Sequence, residues 1–402
     1  MAELYSLPDG WEWKTLSDIF NIERGGSPRP IKDYITYDED GINWIKISDA
    51  TKGDGKYIES TEQKIKPSGL KNTRLVVDGD FIMSNSMSFG KPYIVKTKGA
   101  IHDGWLLMRE KIEKTDKDFF YYLLSSNYMY EQFSSKASGT TVKNLNIDMV
   151  KTTNIPLPPF EEQKRIVAKL DNLFAKIDKA IALHQKNIDE ADIFMASVLN
   201  DVFVELEEKY EKKILGNLTK TTSGGTPSRN QKSYWNGTIG WLKSGELNDG
   251  YITEVEEYIT EEGLNKSSAK LFPKGTLLIA MYGATVGRLG ILKIKTTTNQ
   301  AICGILNDKK EFETLYMFYF LKKSREKMIK DSFGGAQPNI SQTYIKELEI
   351  PLPPLQTQQK VVSYLDEISQ KMEKIKNLQK EKMQSLKELK ASILDKAFKG
   401  EL

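Results

Sequence analysis

The sequence is poor in the residues that most often carry metal binding, disulfide bonds or acid–base catalysis. Its 402 residues include one cysteine, Cys303, and two histidines. A single cysteine excludes a disulfide framework, and with two histidines a Cys/His zinc site is not expected. No segment approaches the roughly 18 consecutive apolar residues of a membrane-spanning helix, and the amino terminus lacks the basic start and apolar run of a secretory signal. These absences predict a cytoplasmic protein without zinc chemistry.

An excess of charge of one sign is also missing. Lysine and arginine total 58 against 55 acidic residues, and the resulting net charge of +3 indicates no class of partner. The apolar fraction of 39% and the aromatic fraction of 10% are typical of folded globular protein. The length predicts two or three domains, each able to bury its own core.

What the sequence does contain is an internal repeat. The segment IPLPPFEEQKRIVAKLDNLF, which starts at Ile155, recurs as IPLPPLQTQQKVVSYLDEIS from Ile350. The offset of 195 holds without a gap to Phe203 and Phe398, with 16 identities in 49 aligned positions. The preceding segments match less well, at offsets between 194 and 199. We therefore predict a domain at 1–153, a long helix at 154–210, a second domain at 211–349 and a second long helix at 350–402.

The two helical segments have coiled-coil spacing. Each follows a PLPP motif, which blocks a preceding helix and favours an extended entry. Apolar residues then recur every three or four positions, from Ile166 to Val202 in the first copy and from Val361 to Ala397 in the second, with Ile375 and Met383 in the seam. A stripe that narrow requires a partner helix, and the other copy is the obvious one. Because each domain precedes its helix, we predict an antiparallel pair.

The two domains are predicted to be α+β, with mixed strands and helices. Short β-rich runs lie between Gly, Asn and Asp turns; they are INWIKIS, GDFIMSN, PYIVKT and WLLMRE in the first copy, and GTLLIAM and RLGILKI in the second. A helical stretch follows in each copy, at 118–133 and 313–332.

Enzyme signatures are absent. The sequence has no G-x-x-x-x-G-K-[ST] phosphate loop, and GATVGRLG from Gly283 is expected to be a turn between strands. The PLPPF run lacks the Asp, Asn or Ser that an adenine methyltransferase motif carries directly before its two prolines. With two histidines in the chain, a Ser-His-Asp triad is not expected.

Small, polar and basic residues instead occupy matching loops of the two copies. GGSPR from Gly25 pairs with GGTPSR from Gly224; these loops bring backbone N–H groups, hydroxyls and a guanidinium together, which suits contacts to phosphates and guanine edges. Further lysines, arginines and amides follow the paired tryptophans and the later turns. The candidate DNA-binding residues are Ser27, Arg29, Lys46, Lys91, Thr140, Lys143, Asn144, Thr226, Ser228, Arg229, Lys243, Arg288, Gln337 and Asn339. The alternative is that the glycines and prolines serve only the turns.

Taken together, the repeat, the doubled PLPP entry to a coiled coil, SGGTPSR and the GGAQPNIS loop resemble the specificity subunit of type I restriction–modification systems. The resemblance implies a non-catalytic subunit in which two target-recognition domains each read half of a bipartite DNA sequence. It also implies that the helices set the spacer and dock two methyltransferase subunits, with ATP-dependent restriction subunits joining the complex. S-adenosylmethionine, ATP and Mg²⁺ would then belong to those partners, and this chain would hold no cofactor. The first domain departs from the motifs, with SPRP for TPSR and GTTVKNL for QPNIS.

Two other classes of protein fit the same features. A stand-alone sequence-specific DNA-binding protein would bind DNA independently of a methyltransferase. A coiled-coil scaffold whose domains do not bind DNA would show no salt-dependent DNA affinity.

Overall fold

The computed structural model describes residues 5–52, 55–85, 89–112, 115–137, 144–332 and 338–402. Thr140, Lys143 and Gln337, three of the predicted DNA-binding residues, lie outside these ranges. The chain divides into two compact units, 1–184 with 381–402 and 185–380, so that each unit contains one domain and parts of both long helices. Within the described ranges, no helix is both long and apolar enough to cross a membrane.

The first unit combines two five-stranded sheets, a two-stranded ribbon and short helices. Its strands are β1 Glu12–Thr15, β2 Phe20–Arg24, β3 Ile35–Thr36, β4 Ile42–Ile45, β5 Tyr57–Ile58, β6 Gln63–Ile65, β7 Arg74–Val76, β8 Phe81–Ser84, β9 Pro92–Val95, β10 Gly99–Ile101, β11 Trp105–Glu110 and β12 Asn154–Leu157. Its short helices are α1 Leu16–Ile19, α2 Ile47–Ala50, α3 Lys117–Leu124, α4 Asn127–Lys136 and α5 Ile147–Lys151. The sheet orders are β3-β6-β4-β10-β7 and β2-β11-β8-β9-β5, and β1 pairs with β12.

The second unit repeats this plan. Its strands are β13 Lys212–Ile214, β14 Thr221–Ser223, β15 Trp235–Leu242, β16 Gly250–Ile252, β17 Glu257–Ile259, β18 Leu271–Phe272, β19 Leu277–Ala280, β20 Leu289–Leu292, β21 Thr296–Thr298, β22 Ile302–Ile305 and β23 Glu349–Pro351. Its short helices are α7 Leu215–Leu218, α8 Glu261–Asn265, α9 Thr314–Lys323, α10 Arg325–Lys330 and α11 Gln342–Lys346. The orders β14-β22-β19-β20-β16 and β17-β15-β21-β18 match those of the first unit strand for strand, apart from the extra edge strand β3.

These sheets confirm the prediction of α+β domains built on one scaffold. Each of the six predicted β-rich runs contains a strand, and the GATVGRLG turn lies between β19 and β20. The predicted helical stretches each form two helices instead of one. In the first domain the break falls at Ser125 and Ser126, because the Ser126 hydroxyl accepts the Met129 N–H and so caps a new helix.

Two long helices follow the domains, α6 Phe160–Lys209 and α12 Leu355–Lys399. Each PLPP segment is extended, as predicted, and its first residues form β12 or β23. The predicted segments 154–210 and 350–402 thus each include a strand before the helix begins.

A buried glutamine in the first turn of each long helix joins that helix to its own domain. The Gln163 side chain accepts the Asp116 N–H at 3.0 Å and donates to the Pro158 carbonyl oxygen at 3.0 Å. Gln358 makes the same two bonds, to the Glu313 N–H and the Pro353 carbonyl oxygen, both at 2.9 Å. Because both side chains are fully buried, these bonds are shielded from water and fix the angle at which each helix leaves its domain.

Within each unit the two long helices run antiparallel, as predicted. In the first unit Arg165 donates to the Leu402 carbonyl oxygen and Lys390 contacts Asp178, so residue numbers rise on one helix as they fall on the other. Leu170, Phe174 and Leu394 share the apolar core with the domain there. In the second unit Leu199, Phe203 and Leu365 do the same.

The seam between the helices in the second unit becomes polar towards residue 380. The prediction that Ile375 lies in the seam is wrong, since its side chain is 39% exposed. Lys376 takes that position and contacts Asp192 at 2.9 Å, and the Asn187 amide donates to Gln379 at 3.4 Å. The apolar spacing misled because Lys376 covers the seam with its aliphatic stem while its ammonium reaches an acid.

Candidate nucleic-acid interface

The paired glycines of the candidate loops are structural. Gly25 N–H donates to the Trp105 carbonyl oxygen and Gly26 N–H to that of Ile101. In the second copy Gly224 and Gly225 donate to Ile302 and Thr298. A Cβ at any of the four positions would overlap neighbouring protein atoms, so only glycine allows this close approach. These four glycine N–H groups are therefore used within the domain, which supports the alternative that the glycines serve the local backbone instead of binding phosphate.

The hydroxyl after each glycine pair points to one particular side chain. Ser27 Oγ donates to Asp103 Oδ1 at 2.9 Å. Thr226 Oγ1 makes the equivalent bond to the side-chain oxygen of Gln300. Asp103 lies two residues after β10, and Gln300 lies two residues after β21. The same loop therefore carries the same hydroxyl contact in both domains, but with a different partner.

A lysine–glutamate pair is also repeated. Lys46 Nζ lies 3.8 Å from Glu62, and Lys243 Nζ lies 2.8 Å from Glu256. Each lysine begins a short helical turn in which an acid three residues later, Asp49 or Glu246, accepts the lysine N–H and the N–H of that same glutamate. The predicted contacts Lys46 and Lys243 are thus held in equivalent places by equivalent bonds.

Arg229 is held in an aromatic and acidic cluster of the second domain. Its guanidinium carbon lies 3.8 Å from the ring centre of Trp235 and 4.8 Å from that of Trp241, which is cation–π contact. The guanidinium also pairs with Glu257, which in addition lies 3.1 Å from Lys243 Nζ. The hydrogen bond from Arg229 holds the pKa of Glu257 below its usual value, so this carboxylate is charged at neutral pH.

The first domain has an open pocket in the corresponding place. Its volume is about 1300 Å³, and its lining includes Ser27, Arg29, Trp44, Lys46 and Asp103. Pro30 occupies the sequence position of Arg229, so the guanidinium comes from Arg29, whose side chain is 80% exposed and lies 3.2 Å from Asp103.

His102 also lines this pocket, and its ring centre lies about 6 Å from those of the buried Trp44 and Trp105. Burial lowers the pKa of His102, so the imidazole is neutral near neutral pH.

The remaining described candidates lie on other loops. Lys91 and Arg288 are both exposed, and each follows a glycine at positive φ, Gly90 or Gly287, in the turn before β9 or β20. Asn339 faces Tyr282 across an isolated β-bridge next to the Arg288 turn.

Two further candidates are exposed: Asn144, and Ser228, whose carbonyl oxygen accepts the Trp235 indole N–H. The structure therefore brings Ser27, Arg29 and Lys46 together in one domain and Arg229 and Lys243 together in the other. Arg288 and Asn339 lie outside these two clusters, near the turn between β19 and β20.

Sequence reasoning missed the partners of these cations. Asp103, Glu256 and Glu257 pair with the cations from other strands and loops. Gln300 pairs with the Thr226 hydroxyl, and Trp235 lies close in sequence to Arg229. Extending the repeat at its offset of 197 would align HDG at 102–104 with NQA at 299–301, which is the signal that could have drawn attention to Asp103 and Gln300.

The lone cysteine has no reactive environment. Cys303 is fully buried in β22, and burial raises its pKa to about 12. Over the described residues, no group of three or more His, Cys, Asp or Glu side chains is arranged to hold a metal ion.

Comparison with known proteins agrees with the repeat. The family model for the type I restriction modification DNA specificity domain matches twice, at residues 8–190 and 207–383. The chain therefore belongs to this family.

Similar curated proteins are type I restriction enzyme specificity subunits. The EcoKI subunit of Escherichia coli K12 is 25% identical, with 98% of this chain and 90% of that protein covered. The MjaIX subunit of Methanocaldococcus jannaschii is 33% identical over 42% of this chain and 41% of that protein.

Solved structures give the same fold. A structure concerned with assembly and conformational transition of the type I restriction–modification system matches with a TM-score of 0.74 at 24% identity, covering 99% of this chain and all of that one. The HsdS subunit from Thermoanaerobacter tengcongensis matches with a TM-score of 0.53 at 25% identity, covering 99% of both chains.

Proposed function

We propose that this chain is the DNA-reading subunit of a type I restriction–modification complex, with one half of a bipartite target read by each domain. The observation that carries the proposal is the double family match, which covers both copies of the repeat. Two domains on one scaffold fit a target with two halves, and the difference between their clusters fits two different half-site sequences. No observation favours a stand-alone DNA-binding protein.

The clusters have the chemistry of DNA readout. Arginine, lysine and hydroxyl groups contact phosphates and guanine edges, whereas carboxylates and amides contact cytosine and adenine. In the free protein Arg229 and Lys243 pair with acids. Exposed ion pairs of this kind contribute at most about 1 kcal/mol, so a phosphate can displace the acid at small cost.

Each long helix has two exposed apolar residues at repeat positions that match those of the other helix, and these residues offer contacts to partner subunits. Leu183 and Leu378 occupy equivalent repeat positions and are 53% and 50% exposed. Phe194 and Leu389 form a second equivalent pair, 50% and 48% exposed. A surface that occurs twice fits two copies of one partner. We assign these sites to two methyltransferase subunits, and restriction subunits complete the complex.

The chemical steps then belong to the partners. S-adenosylmethionine would be held by the methyltransferase subunits, and ATP with Mg²⁺ by the restriction subunits, all in the cytoplasm. This chain would have no catalytic activity of its own. We expect the purified chain to show neither methyl transfer nor ATP hydrolysis, and activity that persists through further chromatography would contradict this assignment.

Exchange of a domain tests the division of labour. Residues 211–348 would be replaced by the equivalent segment of another family member, and methylated adenines mapped in cells that also express the methyltransferase. We expect one half of the methylated sequence to change and the other to stay. A change in both halves would contradict independent reading.

Lengthening the helices tests their role as a spacer. Four residues inserted after Ile188 and after Met383 would extend each helix by roughly 6 Å, close to one turn. Since DNA rises about 3.4 Å per base pair, the unspecified spacer should grow by one or two base pairs while both half-sites stay the same. An unchanged spacer with full methylation would contradict the proposed role.

A further inference from the structure

Asp103 and Gln300 occupy the same position in the two domains. Each lies in the connection between two equivalent strands, β10 to β11 or β21 to β22, and each accepts a hydrogen bond from the hydroxyl that follows the paired glycines. The surrounding backbone is fixed in both copies by the same glycine N–H bonds. The two side chains are therefore presented by one rigid frame and differ only in chemistry.

Both side chains keep bonding capacity towards solvent. The Asp103 side chain is 44% exposed, and its Oδ2 faces the Arg29 guanidinium, which is itself 80% exposed. Gln300 is exposed, and its amide NH₂ group donates to no other side chain in the described part of the structure. The hydroxyl contact orients each group without using all of its donors or acceptors.

The chemistry of the two positions matches different bases. A carboxylate accepts from the N4 amino group of cytosine, and an arginine donates two bonds to O6 and N7 of guanine, so Asp103 beside Arg29 matches both bases of one C·G pair. A glutamine pairs with N6 and N7 of adenine. A carboxylate at a DNA surface is repelled by phosphates, and an amino group on a base edge is the donor that offsets this repulsion.

We propose that Asp103, together with Arg29, selects a C·G base pair in one half-site, and that Gln300 selects adenine at the equivalent position of the other half-site. This inference rests on the proposed function, because it names the bases that the two domains read.

The experiment exchanges the two residues. Complexes of the full chain with its methyltransferase subunits would select from duplex DNA with a randomised bipartite target. Asp103→Gln gives the first domain the side chain that the second domain has at this position, and Gln300→Asp does the reverse. Because Arg29 is kept and still donates to guanine, we expect Asp103→Gln to weaken the preference for C·G at one position of one half-site by roughly 5- to 150-fold. Gln300→Asp should change one position of the other half-site from A·T to C·G.

Asp78→Asn is the matched control. Asp78 is an acid of the first domain, its side chain is 70% exposed, and it lies beside Lys96 instead of the Ser27 loop. The variant removes one negative charge and should select the wild-type sequence. If it changes the same position as Asp103→Gln, the effect comes from charge alone and the inference fails.

The outcomes separate this inference from the proposed function. If the wild-type complex selects no sequence, the proposed function is wrong. If it selects a sequence that both exchange variants also select, with unchanged preference at every position, the proposed function stands and the assignment of Asp103 and Gln300 is wrong. Thermal unfolding of each variant shows whether the exchanged domain is folded. Selection by the unaltered domain in the same complex shows that the complex has assembled.

Discussion

The two recognition domains share a scaffold but differ on the surface that the scaffold supports. The order of the strands, the glycine N–H bonds and the Lys–Glu pairs are repeated. Yet in the second domain Arg229 lies on two indoles, whereas the first domain has an open pocket with Arg29 at its edge. The difference teaches that backbone bonds and buried residues fix the frame, while two or three exposed side chains on it differ from one domain to the other.

The largest expected effect comes from equivalent core residues of the long helices. Phe203 and Phe398 lie at the same repeat position and are fully buried, against Tyr316 and Phe320 in one unit and Phe119 in the other. We expect each alanine variant to lose about 3–5 kcal/mol of unfolding free energy. Urea unfolding followed by tryptophan fluorescence would measure the loss, because both domains contain tryptophans.

Phe194→Ala is the control for this pair, because Phe194 is exposed and the larger loss depends on burial. The control should change the free energy of unfolding by less than about 0.5 kcal/mol. A core variant no more destabilised than this control would show that the two cores are not equivalent.

The next effect tests the paired glycines. Alanine at Gly25 would overlap the His102 carbonyl oxygen, and alanine at Gly224 would overlap Thr298. We expect each substitution to cost about 1–3 kcal/mol, by the same unfolding measurement. Gly245→Ala is the control, because its added Cβ meets no atom within 4 Å. Equal losses at the two positions would support one shared frame. A neutral result at either position would show that the two domains are not held in the same way.

A half-buried ion pair of the second domain comes third. Arg325 binds both carboxylate oxygens of Asp249 and the Gly287 carbonyl oxygen, so it holds the turn that carries Arg288. Burial raises the pKa of Asp249, but the Arg325 guanidinium and the Leu289 N–H lower it more, and the net shift is downward. We expect Asp249→Asn to cost about 1.5–3 kcal/mol at pH 7.

The pH dependence of that loss follows from the direction of the shift. Because the folded pKa lies below the unfolded value of about 3.9, the stabilisation is complete above that value and is lost as the pH falls through the folded pKa. The stabilities of the wild type and Asp249→Asn should therefore converge at acidic pH. A difference that stays constant down to pH 2 would mean that the carboxylate charge is not responsible.

The smallest effect comes from making the second domain resemble the first at Glu257. Strand pairing places Gln63 at the equivalent position, opposite Trp44 as Glu257 is opposite Trp241. Glu257→Gln removes the acid that pairs with Arg229. If the proposed function is right, non-specific DNA affinity should rise a few-fold, in keeping with an exposed pair worth about 1 kcal/mol or less. Titrations over a range of salt concentrations would also show a steeper salt dependence.

Glu254→Gln removes the same charge from an exposed site and is the control for bulk electrostatics. An equal rise in both variants would mean that release of Arg229 contributes nothing.

The sequence allowed prediction of those parts of the fold that depend on local pattern. The repeat, the PLPP entries, the antiparallel helices and the β-rich runs follow from spacing and from proline, which act over a few residues. The Glu257 pairing with Arg229, the Ser27 bond to Asp103 and the polar seam at Lys376 depend on strands and helices that meet far apart in sequence. No local pattern contains them, and so the cations were predicted without the acids that hold them.

The buried glutamines at the start of the long helices have a consequence for the exchange of domains during evolution. Gln163 and Gln358 each accept one main-chain N–H of their domain and donate to a carbonyl oxygen of the PLPP segment, so neither bond depends on a side chain of the domain. A domain acquired by recombination from another lineage would therefore form the same hydrogen bond to either long helix, and no second mutation would be needed. The sequence of one domain can therefore change while its attachment to the long helix is kept.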